Sequence, residues 1–224
     1  MKRLAAPLAI GLIGAAILVA LGIWQVQRLH WKEGILAQID ARIAAVPSPL
    51  PEVISPADHA YLPVALDGRF GEGALFVLIS TREMGAGWRV ISDFQTTNGR
   101  RVLVDRGITP LANKEALRQE PRAQVIGNLH WPDDRNSSTP QNDLAGNTWF
   151  ARDIAEMAET LGTEPLLIVA REVTPADQRP LPMPLSSAGI PNKHFEYAGT
   201  WFLLALAWTG MTGLWIRRRL QDKD

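Results

Sequence analysis

The sequence predicts a membrane protein in which two transmembrane helices, one N-terminal and one C-terminal, flank an α+β, mainly antiparallel β domain that curls toward a barrel. Three observations predict it. Leu4–Gln27 is a run of 24 residues without a formal charge, and Tyr197–Ile216 is a second run of 20. About 20 apolar residues at 1.5 Å each cross the ~30 Å hydrocarbon layer, and only hydrogen-bonded helices satisfy a lipid-exposed backbone of this length. Between the runs, short β-prone segments are separated by Gly, Pro and Asn-Gly punctuation, the pattern of hairpins.

The 224-residue chain has 23 basic and 23 acidic residues and no cysteine. Zero net charge argues against a nucleic-acid partner, because phosphates reward a strong positive excess. Without cysteine there are no disulfides, thiol nucleophiles or thiolate metal sites.

The elements follow in order. The first apolar run exceeds a signal-peptide core and ends in no clean small-x-small site, so it reads as an uncleaved anchor, residues 1–27. Lys2 and Arg3 precede it, and Arg217, Arg218 and Arg219 follow the second span, residues 194–217. Clustered basic residues stay on the cytoplasmic side, so both termini, including the tail 218–224, are expected there. The direct run from Met1 into the anchor points to a bacterial inner membrane, with residues 28–193 in the periplasm.

Beyond the first span the helix is expected to continue to about Ala45 on the row Ile35, Ile39 and Ile43, until Pro47, Pro49 and Pro51 stop it. Strands are expected at Tyr61–Phe70 and Ala74–Ser80, with a turn at Gly71–Gly73. Trp88–Gln95 and Arg101–Ile108 flank Asn98–Gly99, a strong hairpin signal. Another strand spans Gln124–Trp131, and a loop spans Asp133–Asn147. A short helix holds Ile154, Met157, Ala158 and Leu161 and closes at Gly162. Leu166–Ala170 is a buried strand, and a proline-rich stretch returns the chain to the membrane.

No phosphate-binding loop, nucleophile elbow, zinc-protease motif or dinucleotide fingerprint is present, so the chain is not expected to be an enzyme. The most informative local feature is His194 at the outer mouth of the second span. Trp201, Trp208 and Trp215 follow it at seven-residue spacing, on one drifting helical face. A neutral imidazole can ligate haem iron, and an apolar stripe can pack on a porphyrin. The same residues also suit an interfacial anchor packed on lipid or on the other span, although Trp208 falls too deep for an interface role. The spans are expected to pair through Gly11, Ala15 and Gly22 on one and Gly210 and Gly213 on the other, which could bring His30 toward His194.

Four blocks of the chain then carry a resemblance to a known family. They are Gly22–Arg28 with Trp31–Lys32; Val102–Gly107 with Pro110; Asn147–Asp153 leading into Met157–Ala158; and Asn192–Phe202. In this order, between two spans, they resemble the Surfeit-locus-one proteins, assembly factors of haem–copper cytochrome c oxidase. The resemblance implies transient binding of haem a and help with its insertion into the core subunit of the oxidase. It implies that subunit as the partner, haem a synthase as a second one, and membrane lipid around the spans. His194 matches the family's proposed haem-iron ligand, and Trp201 belongs to the same block. On this reading Trp201 and Tyr197 are expected to line the porphyrin and Arg28 to face a propionate. The alternative is a scaffold that holds the nascent subunit without touching haem. The chain departs from the family pattern at His30, Asp105 and Ile108, and no ligand role is carried onto His30.

Overall fold

In the computed structural model, residues 2–81, 85–114, 122–175 and 180–221 are described. Parts of the proline-rich return and of the C-terminal tail lie outside them. The chain divides into two units: residues 1–38 with 187–224, and residues 39–186.

The first unit holds two membrane-spanning helices, α1 (Lys2–Ile43, continuing into the second unit) and α4 (His194–Gln221). In lipid, apolar side chains gain little from burial against one another, so helices associate through close packing and polar contacts. On α1 the buried positions Pro7, Gly11, Gly22 and Gln25 mark one seam. On α4, Ala198 and Ala205 are buried, and the half-buried Trp201, Trp208 and Thr212 continue their row in steps of three and four. That spacing keeps one stripe facing a partner helix.

The glycines set the separation. A Cβ on Gly11 would lie 2.3 Å from Thr212 Cγ2, one on Gly14 2.4 Å from the Trp208 indole nitrogen, and one on Gly22 2.7 Å from the Phe202 ring. Partner numbers fall as α1 numbers rise, so the helices run antiparallel. The indole N–H of Trp208 donates to the Gly11 carbonyl at 3.0 Å, which explains a tryptophan too deep for the interface. Gly210 and Gly213 were expected at this contact, but both are exposed and have open space where a Cβ would be. Side chains of α4 fill the hollows left by glycines of α1; the two glycine sets do not meet.

The second unit is a barrel. Its strands are β1 (Ser48–Pro49), β2 (Pro63–Thr81), β3 (Gly85–Thr96), β4 (Arg101–Pro110), β5 (Ala123–His130), β6 (Thr148–Trp149) and β7 (Leu167–Thr174). The path β2-β3-β4-β7-β5 closes on itself because β2 also pairs with β5, from Pro63↔Asn128 to Gly68↔Ala123. Closure leaves five strands without a free edge over that region. All these pairs are antiparallel except β4–β7, which run parallel. A short helix, α2 (Pro56–His59), precedes β2, and the chain from β4 to β7 passes through β5, β6 and then α3 (Ile154–Leu161), ended by Gly162 in the left-handed region.

Residues from all five strands meet inside: Val64, Leu66 and Phe70 of β2, Phe94 of β3, Val102 and Val104 of β4, Val125 and Leu129 of β5, Ile168 and Ala170 of β7. The alternate positions Leu103, Leu167 and Val169 face outward and are covered by Trp149, Met157 and Ala158. Both faces of β4 are therefore buried.

The Gly71–Gly73 segment is not a turn. β2 runs through it as one strand, with a register shift between Phe70 and Ala74. Asp93 of β3 fills the space: a Cβ on Gly71 would sit 2.0 Å from its Oδ2, and the Gly73 N–H donates to its Oδ1 at 3.1 Å. Arg101 Nη2 binds the same carboxylate at 2.7 Å. The glycines permit a close approach at a bulge, a role their clustering shares with turns.

Two outcomes are expected. The cysteine-free chain makes crosslinking clean, and Gly11 and Thr212 Cβ positions lie 3.2 Å apart, near disulfide range. The double variant Gly11→Cys, Thr212→Cys should form an intrachain disulfide on mild oxidation, while Gly11→Cys with Gly210→Cys should not; gel mobility of full-length protein in detergent reads the difference. Gly107 has φ +108°, and a Cβ there would lie 1.9 Å from the Leu181 carbonyl oxygen. Gly107→Ala should therefore lower unfolding stability by at least about 1–3 kcal/mol from backbone strain, read from the urea midpoint of the full chain.

Candidate functional site

The residue types singled out in the sequence fall in two places. The first is the start of α4. His194 is its first residue and is half-buried. Its Nδ1 lies 2.8 Å from Oε1 of Gln25, a residue 9% exposed on the α1 seam. The other ring nitrogen, Nε2, has no hydrogen-bond partner among the described residues. Ala198, one turn on, is buried, so this end of α4 has one face packed and one open.

Tyr197 and Trp201 stand three and seven residues along the same helix. Tyr197 is 55% exposed and Trp201 is half-buried. Arg28 lies three residues beyond Gln25 on α1, and its guanidinium stacks 4.0 Å from the Trp31 ring centroid. Trp24 and Trp31, on either side of Gln25 and Arg28 in α1, and Phe195, next to His194 at the start of α4, are exposed, as an aromatic belt requires.

His30 does not meet His194. It is exposed on α1, and Gln25 occupies the position beside the imidazole. Sequence reasoning missed Gln25. Its signal was present: an amide inside an apolar run is costly to bury unless it is hydrogen-bonded, so it needed a partner.

The second place is the outward face of β4. Asp105 is fully buried. Arg89 Nε lies 3.3 Å and Arg152 Nη1 3.7 Å from its Oδ2, and the Gly107 N–H donates to its Oδ1 at 3.1 Å. Arg152 also holds Asp134, with Nε–Oδ2 at 2.6 Å. Positive and negative groups thus alternate, Arg89, Asp105, Arg152, Asp134, and their formal charges sum to zero.

Burial raises the Asp105 pKa, while Arg89 and Arg152 oppose the rise. Burial also raises Asp134, but the hydrogen bond and charge of Arg152 outweigh it and leave its pKa lowered. Arg106 does not join this cluster through Asp105; its guanidinium stacks 4.3 Å over the Phe70 ring. Trp149 and Arg152 bracket the segment that enters α3, and Asp153 binds Arg135 with Nη2–Oδ2 at 2.5 Å. The charges tie loop 131–153 to the barrel wall.

His130, at the end of β5, belongs electrostatically to this group. Burial, reinforced by Arg152 and then Arg89 against the opposing Asp134, lowers its pKa from 6.5 to about 4. His59 accepts a hydrogen bond at Nδ1 from the Ser55 N–H at 3.2 Å. Among the described residues, no three His, Asp or Glu side chains gather as a metal site.

The fold and the site define a membrane-anchored barrel protein with a histidine at a helix–helix seam. The family model described as the SURF1 family matches residues 12–206. The chain is 30% identical to the human protein named Surfeit locus protein 1 over 224 aligned residues, covering 90% of this chain and 73% of that one. It is 31% identical to a SURF1-like protein of Rickettsia felis, covering 88% and 90%, and 30% identical to Surfeit locus protein 1 of Xenopus tropicalis, covering 89% and 71%. The chain belongs to the SURF1 family.

The depressed pKa of His130 sets a pH response. As pH falls below 6.5 the unfolded chain takes up a proton that the folded barrel refuses until about pH 4, so the contribution of this group to stability is full above 6.5 and is lost between those values. His130→Gln removes this component. In full-length protein in detergent, exchange of barrel amides should quicken less from pH 7 to pH 5 in the variant than in the wild type, after correction for intrinsic rates.

Proposed function

We propose that the chain is an assembly factor for haem–copper cytochrome c oxidase that binds haem a transiently at the outer rim of the membrane and helps its insertion into the core subunit. The observation that carries this reading is the open Nε2 of His194, on an imidazole whose Nδ1 is already bonded to Gln25. Membership of the family supports it. The lone pair of a neutral imidazole suits ferric or ferrous iron as an axial ligand.

Haem is here a cargo, so the protein must hold it and then yield it. One nitrogen ligand, on a half-buried residue, fits that requirement. Tyr197 and Trp201 lie along the same helix to pack against the porphyrin, and Arg28 supplies a cation for a propionate near the headgroup layer. The basic residues before α1 and after α4 favour cytoplasmic termini, and with them outer span ends and a barrel in the periplasm of a bacterial inner membrane. The role is one of binding and delivery, with no catalytic step. The core subunit of the oxidase is the partner that receives the haem, and haem a synthase is its source.

The test is the spectrum of full-length protein purified from a host that makes haem a. Wild type should carry haem with a Soret band, and His194→Ala should carry about tenfold less or lower, the loss expected when a metal ligand or its support is removed. Equal haem and an unchanged Soret band in the variant would overturn the ligand role. Co-purification of the oxidase subunit with neither preparation holding haem would favour a scaffold that never touches the cargo.

A further inference from the structure

We propose that Gln25 is the positioning residue for His194: its amide oxygen fixes the proton on Nδ1 and so keeps Nε2 available to iron. The inference rests on the ligand reading of His194 and adds the residue that prepares it. A neutral imidazole has one N–H, and the nitrogen that donates it cannot at the same time offer a lone pair. Gln25 Oε1 stands 2.8 Å from Nδ1, and an amide oxygen only accepts. Nδ1 therefore donates, and Nε2 keeps its lone pair.

The surroundings make this bond more than an incidental contact. Gln25 is 9% exposed on the buried seam of α1. Three residues before it, Gly22 gives way to the Phe202 ring. An amide enclosed in this way has few partners to choose from, and losing its bond costs more than at a wet surface. The same contact limits rotation of the ring about its bond to Cβ. A metal-bound histidine held through its second nitrogen is the usual arrangement by which proteins orient and tune such a ligand.

The opposite amide orientation has the opposite consequence. If the Gln25 NH2 group faced the ring, Nδ1 would accept, Nε2 would carry the proton, and the ring could not bind iron without losing it. The tautomer of His194 in the haem-free protein therefore decides the matter independently of haem binding.

The experiment uses the full chain, 15N-labelled at histidine, in lipid nanodiscs without haem. In the wild type, the nitrogen shifts of His194 are expected to show Nδ1 protonated and Nε2 bare; in Gln25→Leu this preference should be lost. Haem titration should then give about tenfold weaker binding for Gln25→Leu. Gln25→Glu, which accepts the same proton, should restore binding and move the iron reduction potential downward, a shift that a packing role alone would not produce. A protonated Nε2 in the wild type overturns the inference. So does a Gln25→Leu protein with the wild-type tautomer and wild-type haem affinity. If Gln25→Leu loses the helix pairing, read by adding Gly11→Cys and Thr212→Cys and testing for their crosslink, the wild-type tautomer and Gln25→Glu still decide. Failure of the ligand reading itself is separate: it shows as haem retained by His194→Ala whatever the tautomer.

Discussion

The close approach of α1 and α4 is the constraint on which the rest of the candidate site depends. In a bilayer the two helices gain little by hiding apolar surface from each other, so contact must come from shape and from polar groups. Gly11, Gly14 and Gly22 leave hollows, and Thr212, Trp208 and Phe202 fill them. The Trp208 indole then finds a backbone carbonyl inside the seam. These contacts set an antiparallel register, and that register brings Gln25 level with the first turn of α4. A shift of one residue along either helix would rotate the amide away from His194. The contact between Gln25 and His194 is thus a consequence of glycine placement deep in the span.

The barrel solves a different problem. It buries charges on its outward face and pairs them by sign, Asp105 between Arg89 and Arg152 and Asp134 on the far side of Arg152, while Arg89 Nε, Asp105 Oδ2 and Arg152 Nη1 make no hydrogen bond among the described residues. Removing one member of such a set leaves its neighbours buried without compensation, so the cluster defends one arrangement of loop 131–153 over others. Asp93 does similar work at the β2 bulge, where it binds Arg101 and the Gly73 N–H. These groups are committed to holding the wall together. His194 differs from them, with one nitrogen bonded and the other open.

Local signals made much of this legible in the sequence. The two charge-free runs, the Asn98–Gly99 hairpin, and α3 with its closing Gly162 each follow from a pattern within a few residues. What the sequence concealed involved choices between distant partners. Gly71–Gly73 reads equally as a turn or as room for a side chain, and only the position of Asp93 on the neighbouring strand decides between them. Asp105 sits beside Arg106 in the chain, yet its partners are Arg89 and Arg152, because adjacent residues on a strand point to opposite faces. Gln25 and His194 are 169 positions apart. The polarity of Gln25 within an apolar span announced that a partner was needed, and nothing nearby in the chain could say which.

The proposed carrier role requires iron binding at one nitrogen of His194, and magnetic resonance can test for that bond directly. Full-length protein labelled with 15N at histidine, with His30, His59 and His130 replaced, would be loaded with ferric haem and examined by electron–nuclear double resonance. A strong 15N coupling from a directly bound imidazole nitrogen is expected. A stably bound ferric haem that shows no such coupling would contradict the account.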